Sequence, residues 1–173
     1  MDILNDIFKD TLEREGVNIS IGSTSFKVFF RRNDKGNTNA HSTLYALYST
    51  PINQGEVFSL NESKYLITKE LTTENTTYRK FECVQCNATI KWMYGKNDMI
   101  IYDCYMVGIA DSLKTSTDVT IIGSKVEIWL PLNADSRRII LNGRFFCGAY
   151  VIANKVTDLN YLNELCYIYA ERD

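Results

Sequence analysis

From Val17 onward the sequence is a succession of short runs in which apolar and polar residues alternate, broken every few residues by polar turn formers. A period of two is the signature of strands that bury one face. With only two prolines in 173 residues, a chain patterned this way reads as mainly β: a compact β-barrel or packed antiparallel sheets. The runs are Val17 to Ile21, Phe26 to Arg31, Leu44 to Tyr48, a hairpin from Val57 to Thr68, Tyr78 to Cys86, Ala88 to Tyr94, Met99 to Val107, Val119 to Ile122, Lys125 to Leu130, Ala149 to Val156 and Glu164 to Ala170. Asn142-Gly143, flanked by apolar runs, is the strongest hairpin signal, because a two-residue I′ turn needs positive φ at both central positions.

The first residues are patterned differently. Ile3, Leu4, Ile7, Phe8 and Leu12 recur at helical spacing, with Asp2 as N-cap and Gly16 as the stop, which predicts one short amphipathic helix from Ile3 to Glu15. Its apolar stripe has two readings: it closes one end of the chain's own barrel, or it docks on a neighbouring subunit. The expected organisation is therefore a helix over residues 1–16 and a single β domain over 17–173.

A faint echo offers a duplicated small β-module within that domain. VFSLNESKYLIT, from Val57 to Thr68, reads like IILNGRFFCGAYVIA, from Ile139 to Ala153, each with an Asn-centred turn and a second run ending in a Tyr followed by aliphatics. The offset is 81 residues from Leu60 to Leu141 and 85 from Tyr65 to Tyr150, which places the repeat at 56–94 and 137–173. In each copy a hydrophilic stretch, Leu71 to Thr77 or Lys155 to Asn163, separates the hairpin from a last strand.

Hydrophobic residues make up 45% and charged residues 23% of the chain, far from the disordered class. A net charge of −2 and a pI near 5.5 give no general electrostatic footprint for nucleic acid. MDILNDIFKD has no basic n-region, so no secretory signal is expected, and no run approaches the roughly 20 apolar residues of a membrane helix. Five cysteines, an odd number, then read as reduced thiols in a cytosolic setting.

Catalytic chemistry has little to stand on. The single histidine, His41, falls in a polar loop with no patterned partner. Cys83-Val84-Gln85-Cys86 has redox or zinc spacing, but a second pair is missing, and on a strand residues three apart point to opposite faces. Asp98 and Asp103 read as turn and strand-edge acids, and no P-loop, dinucleotide fingerprint or nucleophile elbow occurs. The expectation is a protein that is not an enzyme, with no catalytic residue, metal or cofactor. Binding function concentrates on long polar loops of a rigid β-scaffold. Two such loops, Arg32 to Ser42 and Ala110 to Asp118, make Arg31, Arg32, Lys35, Asn37, Asp111, Lys114 and Asp118 the candidate lumenal or partner-facing residues. As a nucleic-acid finger the first loop would need basic residues and stacking aromatics on one surface; Tyr45 and Tyr48 follow close behind.

The final third carries a hairpin pattern, Ile139-Ile140-Leu141-Asn142-Gly143-Arg144-Phe145, then Tyr150, Val151, Ile152 and Val156, then Leu165, Tyr167, Ile168, Glu171 and Arg172. In these residues it resembles head-closure and head-to-tail connector proteins of tailed bacteriophages. The stretch Tyr78 to Trp92 is similar to a strand pair of phage structural proteins from Gram-positive hosts. The resemblance implies a ring-forming homo-oligomer in the virion neck, assembled in the host cytoplasm between a portal or adaptor protein and a tail protein. It also implies retention of packaged DNA without sequence recognition, no membrane and no cofactor. Alternatives are a tail-terminator, tail-tube or baseplate protein and, from another class, a carbohydrate- or peptide-binding β-module using Trp92, Trp129 or tyrosines.

Overall fold

The computed structural model describes residues 3–32, 41–73, 77–94, 98–109, 125–147 and 153–172. The expected N-cap Asp2, most of both polar loops, the run Val119 to Ile122 and residues 150–152 lie outside the described residues. The chain is mainly β, with one N-terminal helix, α1 (Ile3–Glu15). It divides into two compact units, residues 1–86 and 87–173. Unit 1 holds β1 (Val17–Ile21), β2 (Thr24–Arg32), β3 (His41–Leu47), β4 (Val57–Leu60), β5 (Ser63–Leu71) and β6 (Tyr78–Gln85). Unit 2 holds β7 (Ala88–Tyr94), β8 (Asp98–Ile109), β9 (Lys125–Pro131), a 3-10 turn at Ser136–Arg138, β10 (Arg144–Cys147), β11 (Ala153–Leu162) and β12 (Leu165–Arg172). Each unit is a closed antiparallel barrel, ordered β1-β2-β3-β6-β5-β4 and β7-β8-β9-β12-β11-β10. Closure leaves no open sheet edge.

Two barrels stand where the sequence pattern suggested a single β domain. β6 ends at Gln85 and β7 begins at Ala88, so no Pro- or Gly-rich linker marks the boundary. Each barrel has its own core: Ile19, Val28, Leu44, Phe58 and Phe81 in unit 1, and Ile90, Cys104, Ile128, Phe145 and Ile168 in unit 2, all 0% exposed.

The two units share one topology, each strand of the first matching the strand six places later in the chain. The correspondence reaches single bonds. In unit 1, Gly55 (φ 84°) donates its N–H to the Ile67 carbonyl, and the Ile67 N–H returns to the Glu56 carbonyl. In unit 2, Asn142 (φ 62°) donates to Val156, and Val156 returns to Gly143. A β-bulge follows each: the register shifts after Ile67 and after Val156. The Thr68 hydroxyl donates to the Glu82 carbonyl and the Thr157 hydroxyl to the Tyr169 carbonyl, both at 3.1 Å. Buried Ile52 and Phe58 flank the first turn as buried Ile139 and Phe145 flank the second.

The structural repeat thus has an offset of 87 from Gly55 to Asn142, where the sequence echo had 81 to 85. The echo set the Asn61 turn, which joins β4 to β5, beside the Asn142 turn, which precedes β10. Asn142-Gly143 therefore closes no two-residue hairpin. The I′ turn is Asn163-Glu164, φ 53° and 60°, between paired Leu162 and Leu165. The polar stretch Lys155 to Asn163, expected to be a gap, contains most of β11. Its bulge leaves Val156 and Leu159 three apart on the core side, which hides the period of two. His41 opens β3 opposite Val84 and is not a loop residue.

Candidate functional site

β2, β3 and β6 lie side by side in unit 1, and their alternation sorts the residues cleanly. Val28, Leu44 and Phe81 point into the barrel, which turns Phe29, Arg31, Tyr45, Tyr78 and Lys80 outward. Phe29 pairs with Tyr45, and Tyr45 with Lys80, whose ammonium lies 5.6 Å from the Tyr45 ring centre. Tyr45 and Tyr78 meet edge-on at 5.8 Å.

α1 lies against this side wall and does not cap a barrel end. Phe8 meets Phe29 edge-on at 5.5 Å and stacks on Tyr78 at 5.1 Å, while Leu12 is buried, 4% exposed. The C-terminal end is tied down by the Gly16 N–H on the Leu12 carbonyl at 2.9 Å and by Lys27, which donates to the Glu13 carbonyl and faces its carboxylate at 3.3 Å. A Cβ on Gly16 would come within 2.4 Å of the Leu12 carbonyl oxygen, so the stop needs glycine. The helix has a wider apolar arc than the barrel covers. Ile3, Leu4 and Ile7 remain 71%, 64% and 57% exposed.

Two open clefts flank Phe8. One, of about 400 Å³, is lined by Phe8, Phe29, Phe30, Arg31, Tyr45 and Tyr78. The other, of about 240 Å³, is lined by Leu4, Ile7, Phe8, Thr11, Phe29, Thr77 and Tyr78. Tyr48, 65% exposed, bonds through its N–H to the Thr77 carbonyl beside the second cleft. The surface is aromatic, with cations at its rim. It offers apolar contact area and sites for negative charge.

Of the residues expected from sequence to face a partner, Arg31 is at the mouth of the larger cleft, exposed and without an ion-pair partner among the described residues. Arg32 points the other way and donates to the hydroxyl of buried Tyr65 at 2.8 Å, which makes it part of the barrel's own structure. Lys35, Asn37, Asp111, Lys114 and Asp118 lie outside the described residues. Trp92, held ready for a ligand platform, is core, 3% exposed. Cys83 is buried, and desolvation pushes its thiol far up, while Cys166 is pushed up to about 12 for the same reason. Among the described residues no three His, Cys, Asp or Glu side chains are grouped to hold a metal ion.

The sequence reading missed Phe8, Phe29 and Tyr78 as one surface. The signal was present in part: on a strand Phe29 shares the face of Arg31, and the helix stripe is too wide for one contact. Unit 2 repeats the theme at the equivalent outward positions, Tyr105 and Trp129. Trp129 packs edge-on between Tyr105 at 5.1 Å and Tyr167 at 5.6 Å. Glu127 accepts hydrogen bonds from the Trp129 indole N–H at 2.9 Å and the Tyr169 hydroxyl at 3.2 Å.

Residues 1–82 match the family model of the YomX N-terminal domain, YomX being a Bacillus phage-region protein, and the match associates the chain with phage. No curated protein matches it. Among solved structures, the K. pneumonia MrkH–c-di-GMP complex is similar over 97% of this chain and 84% of that chain, at 9% identity and a TM-score of 0.30, too distant to carry an argument. No helix among the described residues is long and apolar enough to cross a membrane.

Proposed function

We propose that the chain is a non-enzymatic structural protein of a phage particle, a self-assembling subunit of the head-to-tail connector that helps retain packaged DNA and dock the tail. The observation that carries this reading is the match of residues 1–82 to a phage-region domain, over the unit that bears α1 and its clefts. What that unit offers is contact chemistry: an aromatic wall with Arg31 and Lys80 at its rim and an apolar helix ridge beside it. The partners are copies of the chain in a ring, a portal or adaptor protein on one side, a tail protein on the other, and DNA held without sequence recognition or cofactor. A tail-terminator, tube or baseplate subunit would use the same chemistry at another station.

Electron microscopy of intact particles labelled with an antibody against the chain tests both levels. Label at the neck is the expected result. Label on the tail or its tip moves the protein to a tail station, and unlabelled particles overturn the virion reading. A carbohydrate- or peptide-binding module is a second reading, favoured by the outward Trp129 between two tyrosines. Its rings meet edge-on and its N–H is already bonded to Glu127, an arrangement poorer for stacking on a sugar than a flat exposed platform.

A further inference from the structure

We infer that α1 docks in trans: the exposed Ile3-Leu4-Ile7 ridge of one copy lies in the aromatic cleft of a second copy, and the second copy's ridge lies in the cleft of the first. Three observations carry this. The helix buries only half its apolar arc on its own barrel through Phe8 and Leu12, leaving three large aliphatic side chains more than half exposed within two turns. The clefts that could receive such a ridge open on both sides of Phe8, on the same face of the same unit. Ridge and receptor adjoin on one surface, so a two-fold axis satisfies both contacts at once, as an isologous pair requires.

Charge selects a second copy over a generic apolar partner. The ridge is bordered by carboxylates: Asp6, exposed and without an ion-pair partner among the described residues, and Asp10, one turn on, paired with Arg14 at 2.8 Å. The cleft is bordered by cations: Arg31, likewise without an ion-pair partner among the described residues, and Lys80 over the Tyr45 ring. The acid-rimmed ridge and the base-rimmed cleft complement each other in shape, polarity and sign, and one chain carries both. The pair is a property of the free protein and stands apart from any station in the particle.

Sedimentation velocity on the full chain over a wide concentration range tests it. The wild type is expected to reach a dimer. Ile7→Asp places a charge on an exposed ridge residue, leaves the melting curve unchanged at concentrations where the wild type is monomeric, and weakens the dissociation constant by at least about 30-fold, the scale of a central interface residue. Asp6→Arg and Arg31→Glu each weaken the dimer, and the two in one chain restore it. A wild type that stays monomeric throughout overturns the inference and leaves the face to another kind of partner. So does an Ile7→Asp variant that dimerises like the wild type, or a double charge swap no tighter than either single one. Failure here with label still present on particles would leave the virion reading intact.

Discussion

Gly143 shows how a single position answers to its partner across the barrel. It stands where unit 1 has Glu56, and the strand beside it carries Trp92 where unit 1 has Ile21. The larger ring uses the space a side chain would take: a Cβ on Gly143 would come within 2.0 Å of Trp92 Cη2 and 2.9 Å of the Ile140 carbonyl oxygen. Trp92 is 3% exposed among packed neighbours and has nowhere to retreat. Gly143→Ala is therefore expected to destabilise the protein by about 1–3 kcal/mol, the cost of overpacking. Combining it with Trp92→Ile, which reproduces the unit 1 pairing, should remove most of the added cost of the alanine. Urea unfolding of both single variants and the double variant reads this directly. If alanine costs as much beside isoleucine as beside tryptophan, the ring is not the obstacle.

Between elements, a forked pair joins Glu70 on β5 to Arg79 on β6, with Arg79 Nε and Nη2 each donating to a carboxylate oxygen at 2.7 Å. The Arg79 hydrogen bonds hold the Glu70 carboxyl below its ordinary value, against the upward push of partial burial. A depressed folded pKa gives stabilisation that is complete above the unfolded pKa and is lost as pH falls through the folded one. The Glu70 side chain is 41% exposed, so water screens the pair and its worth is about 0.5–1 kcal/mol. Glu70→Gln should cost that much at neutral pH and nothing once both states are protonated. Melting temperatures across the acid range check it, and a gap that persists at low pH would assign the loss to packing. α1 is as long as its periodicity predicts, and β1 and β7 keep their expected bounds, because their alternation is unbroken. β11 was hidden by the bulge at Thr157, since one inserted residue reverses which face each later side chain takes.

At the scale of the molecule, two closed barrels with separate cores predict two separable responses. Phe58 and Phe145 are equivalent, fully buried, and each central to its own cluster. Phe58→Ala and Phe145→Ala are each expected to cost about 3–5 kcal/mol, and each should lower the unfolding transition of its own unit. Hydrogen exchange read residue by residue distinguishes the outcomes. Loss of protection confined to residues 1–86 in the first variant and 87–173 in the second fits independent cores. Uniform loss in both would mean that the two barrels unfold as one.

The sequence alone determined the fold class and the helix, because a period of two or of 3.6 is a local property that survives in a single run of residues. It named Arg31 as a candidate through the basic polar loop that follows, whereas the outward parity of β2 was read from the structure. Three things required the tertiary structure: barrel closure, the true register of the repeat, and the meeting of Phe8, Phe29, Tyr45 and Tyr78 in one wall. Each depends on which strands become neighbours. Residues 8, 29, 45 and 78 share a surface only after β3 has paired with β6 and the helix has been laid across them, and no local pattern encodes that pairing.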